Sequence, residues 1–181
     1  MTQFPPSRLP LAAALACLLA WVGCEKSAFE NDTPAEELTA EAYPLVDEEL
    51  WPYFAAYEAA AAERGVDVDL REEPVRAFFL SSFENGVAGE CRYNPDHPNE
   101  VSLDRDTWEA VSQRLREYIV FHELGHCERR RKHREDAGPT GLCLSVMASG
   151  TGSCSENYTP STRDALLDEL FDPQFYGEWP E

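Results

Sequence analysis

Positive charge is scarce in this chain. Fifteen lysines and arginines stand against 34 aspartates and glutamates, for a net charge of −19 at pH 7. So acidic a surface repels phosphate backbones and anionic lipid, which excludes nucleic acid as a partner despite the basic run "RRRKHR" at 129–134. It also keeps copies of the chain apart, so a soluble monomer is expected. No internal repeat is present, which excludes a solenoid. No C-x-x-C spacing joins any of the six cysteines, which argues against a cysteine-based metal site. The apolar run "LPLAAALACLLAWV" near the start is shorter than the roughly 20 residues that a membrane-spanning helix needs.

That run is informative in another way. Arg8 precedes it and Val22-Gly23-Cys24 close it, a pattern that resembles a secretory signal, residues 1–23, ending in a bacterial lipobox. Cys24 would then become the lipidated N-terminus and a membrane anchor. A plain cleaved signal is the alternative, since Trp21 stands where a lipobox is normally aliphatic. Residues 24–44 are acidic and lack apolar periodicity, as a tether does. Residues 45–181 are left for a single domain of ordinary size. The expected location is outside the cytoplasm: held on the bacterial cell envelope at its periplasmic or surface face, or secreted if Cys24 carries no lipid. Four cysteines fall in the domain, and an even count in an exported chain reads as two disulfides. Cys143 and Cys154 are close across a Gly/Ser-rich loop and are expected to pair. Cys91 is then left for Cys127.

Periodicity orders the domain. Leu50, Phe54, Tyr57 and Ala61 form one apolar stripe of a packing helix, with Asp47 as a candidate cap, Pro52 in the first turns and Gly65 at the end. Strand-like runs follow at 66–70, 75–83, 86–93 and 100–104, with a hairpin expected at Asn85-Gly86. Asp106 and Glu109 suggest a capping box for the next helix. Its face runs through Val111, Leu115, Tyr118 and His122, a break near Ser112 is foreseen, and its apolar character nearly all round predicts a central, buried element. A loop rich in small residues then leads to a last helix in "STRDALLDELF", capped by Ser161 or Thr162.

The chemistry sits in "FHELGHCERRRKHRED", residues 121–136. On a helix, His122 and His126 lie about 40° apart around the axis and about 6 Å along it, so both imidazoles can reach one ion. Glu123 is turned about 100° from His122 and is free to act as a general base on a water activated by zinc. A third ligand is needed. If the helix continued, His133 would stand about 10.5 Å beyond His126, out of reach. His133 therefore ligates only if the chain leaves the helix between Cys127 and Lys132, where no glycine or proline marks a break. Glu135, Asp136 and Glu169 are competing oxygen ligands. The basic residues of 129–134 read as a solvated cluster compensating a helix C-terminus, or alternatively as a subsite for acidic substrate side chains.

The His-Glu-x-x-His helix, the histidine beyond it and the downstream "LCLSVMASG" together resemble the metzincin class of zincin metallopeptidases. Small bacterial lipoproteins described as putative metallopeptidases, with an "FHELGHC" motif and a final "DELF" helix, are similar over roughly residues 45–176. The resemblance implies an α+β fold: a small mixed sheet, a packing helix, a central active-site helix and a C-terminal helix. It implies Zn2+ held by His122, His126 and His133, a methionine turn at Met147 beneath the metal, and "EVSLD" (100–104) as the edge strand along the cleft, binding an extended peptide or protein substrate. Two features depart from the pattern. The glycine that normally turns the chain is missing and the third histidine comes one residue late. Ser149 also stands where some members carry a transition-state tyrosine, leaving Tyr158 as the nearest tyrosine after Met147. The implied activity is that of a zinc-dependent endopeptidase, with Glu123 as base. A peptidase using Glu169 as third ligand, and a non-catalytic envelope lipoprotein that binds a partner, are the alternatives.

Overall fold

The computed structural model describes residues 43–72, 75–81, 83, 86–93, 98–150 and 152–177. The signal, Cys24 and nearly all of the tether lie outside these. The fold is α+β: three short strands and several helices around one apolar core.

A turn of 3-10 helix at Glu48–Leu50 runs into α1, Trp51–Ala62. All four residues of the expected stripe, Leu50, Phe54, Tyr57 and Ala61, are fully buried. Pro52 sits in the first turn, where its missing N–H costs nothing. The helix ends with Gly65 at φ 70° and the Val66 N–H bonded back to the Ala61 carbonyl, a closure that favours glycine. Asp47 does not cap with its side chain; its carboxylate accepts from the Phe79 N–H instead. Tyr43, counted above with the tether, is buried and donates to Glu58.

Strand β1 is Arg76–Leu80, β2 is Gly89–Arg92 and β3 is Glu100–Asp104, in the order β1-β3-β2. β1 runs parallel to β3, and β2 antiparallel to it. This overturns two expectations. The hairpin foreseen between β1 and β2 does not form, because each pairs with β3; the antiparallel pair is β2–β3. "EVSLD" is the centre of the sheet, not its edge: Val101 to Asp104 are all buried, and β2 takes the edge. A short run with a Ser and an Asp reads as half-exposed, but neighbours on both sides bury it. Residues 66–70 alternate like a strand yet form none. The Leu70 N–H is taken by Glu58, and Asp69 caps the turn that follows.

The long helical segment breaks as foreseen. α2 is Arg105–Ala110 and α3 is Gln113–Cys127, with the Ser112 hydroxyl accepting from the Leu115 N–H. The first cap is Asp104, which accepts from Thr107, rather than Asp106, which is exposed. Every residue from Glu117 to Cys127 is buried, so α3 is the central helix, packed on β2, β3 and α1. α4, Ser153–Glu156, is one turn; α5, Arg163–Leu170, buries Leu166, Leu167 and Leu170, with Thr162 at its N-cap position. Two disulfides, Cys91–Cys127 and Cys143–Cys154, close at Cα separations of 5.6 and 5.1 Å, in the pairing expected from spacing. They suit an oxidising, exported setting. Among the described residues no helix is long and apolar enough to cross a membrane.

Candidate metal centre

Helix α3 presents His122 and His126 one turn apart, and each ring is fixed from behind. His122 Nδ1 meets the Val146 carbonyl at 2.8 Å, and His126 Nδ1 meets the Arg131 carbonyl at 2.6 Å. A carbonyl only accepts, so both Nδ1 atoms carry the proton and both Nε2 atoms offer a bare lone pair. Those Nε2 atoms face each other at 3.1 Å, and His133 Nε2 lies 3.3 Å from that of His122. Burial pushes the His122 pKa down to about 4 and the His126 pKa down to about 3, so no ring proton is at hand to relieve opposed lone pairs. A cation between them would. Ligands about 2.0–2.1 Å from a tetrahedral ion stand about 3.3–3.4 Å apart, close to the observed spacing. The three histidines form a group that can hold a metal ion, the outer one, His133, being exposed.

His133 reaches this point because the helix stops. The Asn99 amide donates to the Cys127 carbonyl at 2.6 Å, and Glu128 closes the last turn onto Leu124. Arg130 then takes φ 53°, the left-handed conformation for which glycine is usual, and the Arg131 N–H returns to the Gly125 carbonyl. The condition set by helix geometry is thus met without a glycine. What holds the exit is Arg131, fully buried. Its guanidinium donates to the Glu169 and Leu170 carbonyls at the end of α5 and pairs with the Glu169 carboxylate.

The loop bearing Met147 lies under the helix. Met147 is fully buried, and a Cβ on Gly125 would overlap its sulfur. Gly125 of "HELGH" is therefore bare so that Met147 can approach. The turn is knitted to the exit loop: the Arg134 N–H donates to the Met147 carbonyl, and Ser145 Oγ accepts from the Met147 N–H while donating to Glu169. Val146, within this turn, supplies the carbonyl that orients His122.

Glu123 is buried against β2. Its pKa is pushed up to about 8, mainly by burial and further by the Glu90 charge, while the Cys91 backbone N–H acts against both. A cavity of about 790 Å³ opens here, lined by the three histidines, Glu123, Tyr118 and the backbone around Gly89, within the usual size for a ligand site. The Tyr118 hydroxyl is buried with no hydrogen-bond partner among the described residues.

Several candidates are engaged by other partners. Glu169 is engaged by Arg131, Arg134 and Ser145 and is not in the histidine group. Asp136 pairs with Arg134, and Glu135 accepts from the Ser149 N–H. Tyr158 is fully buried, bonded to Glu117 and absent from the cavity lining, so it is a packing residue. The basic run is not a solvated cluster: Arg129 and Arg131 are buried, Arg130 stacks on Tyr93, and Arg134 on Phe175. No arginine or lysine lines this cavity among the described residues. The sequence left no signal for the carbonyls of Val146 and Arg131, since any residue has one. Gly89, by contrast, was legible as a glycine inside a strand run, a mark of close approach.

No family of known proteins, no curated protein and no solved structure matches this chain.

Proposed function

We propose that this chain is a zinc-dependent endopeptidase of metzincin-like type. The observation that carries the reading is the convergence of three histidine Nε2 atoms beside Glu123 in a single cavity. Three imidazoles are the protein donor set that a catalytic zinc ion would take. Bound there, zinc supplies Lewis acidity for a carbonyl and acidifies a water molecule.

The chain's own residues do the rest. His122 and His126 stay neutral, their tautomers set by Val146 and Arg131. Glu123 accepts a proton from the attacking water and returns it to the leaving amine. The outer edge of β2, unpaired among the described residues, binds an extended peptide by strand addition along the cleft. The substrate is accordingly a peptide or protein. The exported setting fits the disulfides, and Cys24 anchors the chain to the envelope through lipid.

Glu123→Ala tests this. One zinc per chain should remain bound, while cleavage of a broad peptide library falls on the order of 100-fold or more, the usual share of a general base. Equal cleavage by wild type and variant rejects the peptidase reading, and a wild type without hydrolysis favours the partner-binding lipoprotein instead.

A further inference from the structure

Strand β2 meets Glu123 at one bare position. A Cβ built on Gly89 would lie 2.9 Å from Glu123 Cγ, 2.9 Å from Glu123 Oε1 and 2.9 Å from Leu103 Cδ2. Real side chains essentially never come that close, so one of these groups would have to move. The strand itself is poorly placed to retreat. It is bonded to β3 with Gly89 opposite Leu103 and Cys91 opposite Val101, and the Cys91–Cys127 disulfide ties it to the end of α3. The Cys91 backbone N–H is close enough to Glu123 to favour its charged form. The carboxylate arm thus lies in a slot whose floor is the missing side chain of residue 89 and whose wall is the next amide but one.

We infer that Gly89 is a positioning residue for Glu123: the absent side chain is the space that lets the carboxylate lie along β2 and face the histidine cluster. The inference rests on the reading of Glu123 as the base. It explains a glycine in a strand where β propensity and chain entropy both disfavour one. It also gives the Cys91–Cys127 bond a role beyond stability, since the bond keeps the slot at a fixed distance from the histidine helix.

The test is Gly89→Ala in the full zinc-loaded chain. Displacing a catalytic group by about 1 Å costs on the order of 100-fold, so kcat should fall by about that factor. KM and zinc stoichiometry should stay within about twofold, because neither backbone edge nor histidines change. A purely structural role is separated by denaturant unfolding in a double-mutant cycle with Glu123→Ala. The destabilisation caused by Gly89→Ala should shrink when Glu123 has lost the atoms it clashes with. If Gly89→Ala alone folds poorly, Gly89→Ala with Leu103→Val removes the second clash and isolates the one on Glu123. Unchanged kcat in a folded Gly89→Ala protein overturns the inference, as does strict additivity in the cycle. An active wild type with an indifferent Gly89→Ala rejects this inference alone. An inactive wild type rejects the peptidase reading and this inference with it.

Discussion

Met147 shows how a single side chain can be read at two levels. Its place in "SVM" after the histidine motif marks it by resemblance. The structure supplies the physical cause: full burial under α3, against a Gly125 whose lack of a Cβ admits the sulfur. Met147→Ala should cost about 2–5 kcal/mol by opening a cavity, measured by denaturant unfolding, and should loosen zinc because Val146 moves with it. Tyr158 goes the other way. As a tyrosine near the motif it was a candidate for the chemistry, yet its hydroxyl is spent on Glu117, which Arg163 also pairs with at 2.6 Å. Tyr158→Phe should lower stability by about 1–3 kcal/mol, the cost of an unsatisfied buried partner, and leave peptide cleavage per folded molecule unchanged. The roles of Val146 and Arg131 toward the histidines were invisible because their backbone carbonyls act, and a carbonyl has no sequence signature.

At the scale of elements, the exit from α3 decides the centre. Helix geometry alone showed that His133 is out of reach of an unbroken helix. It could not show where the break falls, because the left-handed residue is Arg130 and not a glycine. Arg131 makes the break hold by joining the exit to the end of α5. Arg131→Met should cost about 1–3 kcal/mol in unfolding, since the Glu169 and Leu170 carbonyls lose their donor while Arg134 and Ser145 still hold the Glu169 carboxylate. Zinc affinity should fall about 10- to 100-fold in a chelator competition, because the carbonyl behind His126 shifts. Strand order escaped the sequence for a related reason. Runs at 75–83, 86–93 and 100–104 were recognisable as strands, but which of them is central depends on long-range pairing, and the turn signal at Asn85-Gly86 pointed to a neighbour that β1 does not take.

For the whole molecule, the buried titratable groups of the site set the pH response of the metal-free protein. His122 and His126 have folded pKa values of about 4 and about 3, below the ordinary 6.5. The unfolded chain therefore binds more protons below pH 6.5, and their stabilisation is lost as pH falls from there toward 4. Glu123 has a folded pKa of about 8, above the ordinary 4.5, so its contribution is present at low pH and lost as pH rises from 4.5 to 8. Two histidines outweigh one carboxylate between 4.5 and 6.5, and the carboxylate acts alone above that. Apo stability from denaturant titrations should peak near pH 6.5. Zinc should add to it throughout this range, since the folded His122 and His126 already carry no competing proton above about pH 4. By itself the sequence determined the α+β content, the packing stripe of α1, the burial of α3, the pairing of the four domain cysteines and the two histidines and glutamate on one helix. Most of these follow from periodicity or from residues near in the chain; the Cys91–Cys127 bond, 36 residues apart, follows by elimination once Cys143 and Cys154 pair. Only the tertiary structure decided that His133 joins them, that Glu169 does not, that β2 rather than β3 walls the cleft, and that Gly89 leaves room for Glu123. Each of those depends on residues far apart in the chain meeting in space, through a left-handed arginine, a buried guanidinium and a bare strand position whose partner no local pattern announces.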